Sequence, residues 1–157
     1  MDKIIYSTAT EIAQAIRDRH VSSVEAVQAH LDRIEEVNPR LNAVVQTAVD
    51  RARAEARGAD EALAGGEVKG PLHGVPITIK DSLDTAGIIS TGGTKGRASF
   101  IPKEDSTVVA RLRSAGAILL GDTANGPWYS ELIRSGADVS RYRDTIAFGK
   151  TYCDAAA

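Results

Sequence analysis

With 157 residues, 43% hydrophobic and 25% charged, the chain has the length and balance of one globular domain. A net charge of −2 leaves no electrostatic case for nucleic acid or an anionic membrane surface. The single cysteine, Cys153, excludes an intramolecular disulfide, no apolar run reaches transmembrane length, and Met1-Asp2-Lys3 does not open a signal peptide, so a cytoplasmic protein is expected.

Thr8 to Glu11 fits a capping box, and Ile12, Ala15 and Ile16 follow at helical spacing. A second box, Ser22 to Glu25, opens a longer helix whose apolar stripe is Val24, Val27, Leu31, Ile34 and Val37. Asn38-Pro39 is expected to stop it. His20 and His30 have no second ligand at metal spacing and read as solvated or packed side chains. Leu41 to Gln46 reads as a short strand or as a lead-in to the next helix. That helix, from about Thr47 to Ala64, has a thin apolar face of Val49, Ala52, Ala56 and Leu63. Its charges, Arg51/Glu55 and Arg53/Arg57, read as a solvated face rather than a binding patch. Gly65-Gly66 ends it, and an exposed loop runs on to Gly70.

Pro76 to Lys80 is a strand announced by Gly and Pro, with Ile77 and Ile79 on one face and Thr78 and Lys80 on the other. A Gly/Ser/Thr-rich loop, Thr85 to Ser99, follows. Asp105 is expected to cap a helix over Ser106 to Ala115, with Val108, Leu112 and Ala115 inward and Gly116 at C′. Ala117 to Leu120 then reads as a buried strand ending at Gly121. Strand, helix and strand over residues 76–121 make a βαβ unit, which implies parallel pairing and a right-handed crossover. In such sheets sites form beyond the carboxyl ends of the strands, where Lys80 and Asp122-Thr123 both fall. An ordinary strand-end lysine marks the boundary with water. A strongly hydrated ammonium is nonetheless awkward at the end of an apolar strand, and burial there makes a neutral amine available as a base.

Beyond Thr123 the pattern weakens: a turn at Ala124 to Pro127, an aromatic pair Trp128-Tyr129, mixed charge over Arg134 to Arg143, and a possible short strand at Ile146 to Phe148. Gly87 to Gly92 has the glycine spacing of a phosphate-binding loop, but Gly93 stands where the lysine belongs, and more loop follows instead of a helix. His73, Cys153, Asp81 and Asp84 form no metal-ligand pattern, and His73 has no elbow serine for a Ser-His-Asp triad. No metal or cofactor is expected. Serine–lysine chemistry remains.

Leu72 to Asp81, Thr85-Ala-Gly87 and Asp105 to Thr123, in that order and spacing, resemble the N-terminal part of the amidase signature family. The resemblance implies an α/β fold, N-terminal helices followed by part of a mixed sheet flanked by helices. It also implies an activity, hydrolysis of amides or transfer of ammonia from them, by a Ser–cis-Ser–Lys set. The lysine of its Gly-Val-Pro-x-x-x-Lys motif corresponds to Lys80, which would accept the proton relayed from the nucleophile. Strand alternation sends Asp81 to the side away from that amine, where it is expected to hold the loop.

Both family serines lie in a Gly-Gly-Ser-Ser-Gly-Gly-like stretch that this sequence lacks. Ser130, Ser135 and Ser140 have no glycine context, and no role is carried onto them. The expectation is therefore one amidase-like portion, mainly helical over 1–65, a βαβ core over 66–123 and a poorly matching tail over 124–157. It is expected to be truncated and inactive, with a small amide as substrate only when completed. The alternatives are a non-catalytic binding module with another chain covering its exposed sheet, or a piece of the A chain of a tRNA-dependent amidotransferase.

Overall fold

The computed structural model describes residues 4–124. The expectations placed on Trp128-Tyr129, residues 134–143, 146–148 and Cys153 lie outside the described residues. The described elements are helices α1 (Ala9–Arg17), α2 (Ser23–Leu41), α3 (Val49–Ala64) and α4 (Thr107–Ser114), and strands β1 (Val44–Thr47), β2 (Pro76–Lys80) and β3 (Ile118–Thr123).

Both capping boxes form. The Thr8 hydroxyl accepts from the Glu11 N–H at 3.2 Å, and the Glu11 carboxylate accepts from the Thr8 N–H at 2.7 Å. Ser22 and Glu25 repeat the exchange at 3.0 and 2.8 Å. In each box the backbone N–H bond, then the hydroxyl, holds the glutamate below the usual carboxylate range. α2 has a second cap from far along the chain: Asp60 of α3 accepts from the Ser23 and Val24 N–H groups at 2.7 and 3.1 Å.

Two expectations about α2 need correction. The helix does not stop at Asn38-Pro39 but carries Pro39 inside its last turn and closes at Asn42, in the left-handed region at φ 49°. Glu35 and Pro39 both lie on the exposed side, where water replaces the N–H that proline lacks. The Asn38 side chain meanwhile pairs with the Val44 backbone in both directions, at 2.8 Å each, and so fixes the turn into β1. Val24 does not join the inward stripe and is 40% exposed. Ser23 takes the inward place, packed against Gly74, where no larger side chain fits.

Leu41 to Gln46 resolves into the end of α2 and the strand β1. The sheet order is β1-β3-β2, with β1 antiparallel and β2 parallel to the central β3. The sheet is therefore mixed, and the expected βαβ unit is present. One face of β3, Ile118 and Leu120, packs on Val27 and Leu31 of α2 and on Ala52, Ala56 and Ala59 of α3. Those alanines let the helices approach closely. The other face, Leu119 with Ile79 of β2, packs on Val109 of α4 and on Ile88 of the loop.

α4 is turned one residue from its expected setting: Val109 is fully buried and Val108 is 50% exposed. Ser106, not Asp105, occupies the N-cap position, without a side-chain cap bond. Asp105 instead accepts from the Ala86 N–H at 2.8 Å and from Arg113 at 3.1 Å. Arg113 also reaches Glu55, which pairs with Arg51, and Arg51 donates to the Ala86 carbonyl. The Arg51/Glu55 pair is thus a brace between α3, α4 and the loop rather than a solvated face. Gly116 sits at C′ as expected, at φ 94°, where a Cβ would press on the His73 backbone at 2.8 Å. β3 runs two residues past Gly121, whose missing side chain lets the Gln46 carbonyl of β1 come close.

Candidate active site

Parallel pairing sets Ile79 opposite Asp122 and Lys80 opposite Thr123, so the two strand ends expected to converge do so. Lys80 is half-buried at the last position of β2. The pair is closed by backbone, with the Asp81 N–H donating to the Thr123 carbonyl at 3.0 Å. The Thr123 hydroxyl donates to the Ile79 carbonyl at 3.3 Å. Lys80 is therefore seated by the sheet itself rather than by a loop.

Asp81 holds the loop, as expected, and does so with one residue's worth of acceptors. Its carboxylate takes the Thr91 N–H at 2.7 Å, the Thr91 hydroxyl at 2.5 Å and the Gly93 N–H at 3.3 Å. Its backbone carbonyl takes the Gly92 N–H at 3.3 Å. Three consecutive amides thus converge on oxygens of one residue, the chain's own Asp81. These amides are therefore engaged within the chain. Asp84 pairs with Arg97, whose guanidinium lies 4.3 Å from the centre of the Phe100 ring. Among the described residues no three His, Cys, Asp or Glu side chains gather as metal ligands.

His73 is fully buried, and both ring nitrogens are used. Nδ1 accepts from the Lys69 N–H at 3.1 Å, and Nε2 lies 3.1 Å from the Ala59 carbonyl, to which it donates. That assignment leaves no free lone pair for a metal or a proton transfer. The histidine ties the loop before β2 to α3.

Asp122 is the feature that sequence reasoning placed at a strand end without foreseeing its environment. It is fully buried, and neither carboxylate oxygen has a hydrogen bond. Burial first, then the negative charge of Asp81, pushes its carboxyl up to about 6, against a smaller opposing effect of the Thr85 hydroxyl. Thr85 also donates that hydroxyl to the Leu83 carbonyl at 3.2 Å. The only signal in the sequence was an acid directly after an apolar strand.

Neither of two larger concavities involves these groups. A groove of about 620 Å³ lies between α2, β1 and α3, lined by Leu31, Ile34, Asn38, Val49 and Arg53 among others. A smaller one, about 280 Å³, sits at the start of α2 beside Arg19, His20, Glu25 and Asp60. Lys80 is distinguished by its strand-end register. No described helix is long and apolar enough to cross a membrane.

The amidase family model matches residues 25–128. The chain is 44% identical over 123 residues to the A chain of the glutamyl-tRNA(Gln) amidotransferase of Acidothermus cellulolyticus, covering 78% of this chain and 24% of that protein. It is 46% identical over 123 residues to the indoleacetamide hydrolase of Bradyrhizobium diazoefficiens, covering 78% and 23%. The crystal structure of peptide amidase from Stenotrophomonas maltophilia superposes with a TM-score of 0.71 at 33% identity, covering 78% of this chain and 25% of that one. The chain thus spans about a quarter of the length of the curated relatives it matches. On the family match and the shared fold, the chain belongs to the amidase signature family.

Proposed function

We propose that this chain carries the lysine of an amide-cleaving site, with Lys80 as the general base that takes the proton relayed from a serine nucleophile. The observation that carries this reading is the position of Lys80. It ends the motif strand at the carboxyl edge of a parallel pair, half-buried, in a chain of the amidase signature family. Carbon–nitrogen bond cleavage in a small amide is the reaction class this supports. In it the base prepares the serine to attack the carbonyl and then returns the proton to the departing nitrogen. The Gly/Ser stretch that would bring nucleophile and oxyanion donors is not in these 157 residues. The chain by itself is accordingly expected not to turn over amides. We read residues 1–157 as one amidase-like portion, in a cytoplasmic protein.

The test is a chimera in which residues 25–128 replace the matching stretch of a full-length amidase. Activity is expected in the chimera and is expected to fall by about 10³-fold or more with Lys80→Ala. A chimera whose turnover survives that change would overturn the assignment. Turnover by the 157-residue chain alone, lost on Lys80→Ala, would uphold the lysine and refute the missing nucleophile. A second reading is favoured by the several relatives named as the A chain of a glutamyl-tRNA(Gln) amidotransferase. There the released ammonia is passed on, and turnover by the chimera would depend on added partner chains.

A further inference from the structure

Among the described residues, the charged groups at the carboxyl edge of the sheet are Lys80, Asp81 and Asp122, and the proposed chemistry uses only the first. Asp81 has its oxygens occupied by the loop amides and the Thr91 hydroxyl. Asp122 is fully enclosed, with no donor on either oxygen. Its neighbours across the sheet are Ile79 on β2 and Gln46 on β1, neither of them charged. From the loop, Thr85 faces it with a hydroxyl whose proton goes to Leu83. The core under this strand pair, Leu119 of β3 with Val109 of α4, is apolar. Among the described residues, Asp81 is the charged group that acts on it, and the sign is repulsive.

A carboxylate in such surroundings is costly as an anion and tolerable as a neutral acid, which needs fewer donors and does not repel Asp81. We propose that Asp122 is a titrating positioning residue for the Lys80 segment: protonated, it lets the two strand ends and the Asp81-held loop close together, and ionised, it drives against Asp81 and loosens that loop. The consequence for Lys80 rests on the catalytic reading above, but the coupling between Asp122 and the loop does not. As a neutral acid Asp122 presents one O–H, and the Thr85 hydroxyl oxygen facing it is an acceptor that can still donate to Leu83. The elevated carboxyl of Asp122 agrees with this geometry. The stabilising proton is present at low pH and is lost as pH rises through about 6.

The experiment uses the full 157-residue chain and no activity readout, so its failure is separate from a failure of the Lys80 assignment. Carboxyl ¹³C NMR follows Asp122, and amide exchange follows the Thr91 and Gly93 N–H groups that Asp81 accepts. The expected result is a carboxyl midpoint near 6. Amide protection, corrected for intrinsic rates, is expected to fall about tenfold between about pH 4 and about pH 8. In Asp122→Asn, which keeps the shape and cannot ionise, protection is expected to hold at the acid value throughout. An Asp122 midpoint below about 4, or loop protection that follows pH equally in both proteins, overturns the proposal. Should Asp122→Asn fail to fold, the wild-type carboxyl midpoint and the pH course of the two amides decide it alone.

Discussion

The two ends of the parallel strand pair are built on opposite rules. At the amino end, His73 is fully buried with both ring nitrogens bonded to backbone, and Gly116 and Gly74 close the seam with a 3.0 Å backbone bond. At the carboxyl end, Asp122 is equally buried with no bond to either oxygen, beside a half-buried lysine. One end holds a buried ring with both nitrogens bonded, and the other a buried carboxylate with neither oxygen bonded. The difference matches the general rule that such sheets place stability at one edge and chemistry at the other.

The sharpest way to break this contrast is Lys80→Ala, which leaves the amino end untouched. It is expected to remove about 10³-fold or more of amide turnover from the chimera, with the unfolding midpoint little changed. A large fall in stability instead would make Lys80 structural. Next, His73→Leu orphans the Lys69 N–H and removes the second bond to the Ala59 carbonyl, and is expected to cost about 2 kcal/mol in denaturant unfolding. Asp122→Asn has the opposite sign. It should stabilise the chain by about 2–3 kcal/mol above about pH 7 and leave it unchanged near about pH 3, because only the ionised form is penalised. If both substitutions destabilise at neutral pH, the two ends are alike and the contrast fails. The smallest effect is expected from Ser22→Ala, about 1 kcal/mol, since Asp60 still caps the start of α2.

How much of this was legible depended on the range of the forces involved. The capping boxes of Thr8 and Ser22 and the C′ role of Gly116 are settled within one turn, and the sequence shows them directly. The loop-holding role of Asp81 also followed from local alternation. Val24 and Val108 were misplaced because helical periodicity leaves the setting of a stripe open by one position. The sheet decides it, choosing Ser23 against Gly74 and Val109 against Leu119. Asp105 looked like a cap because its partners, Ala86 and Arg113, lie far back in the β2–α4 connection and at the far end of its helix. Lys80 was identified by a motif and a strand end. The isolation of Asp122 was not legible, because it depends on burial within the assembled fold.

The grip of Asp81 on Thr91, Gly92 and Gly93 has a mechanical meaning. It closes the chain between residues 81 and 93 into a ring whose clasp is the residue next to Lys80. A ring this short leaves the chain few alternative paths, and the clasp ties it to the strand end. With Thr85, Ile88 and Ser90 buried inside it, the ring is pinned to the core at three points, and its clasp is the residue that follows Lys80.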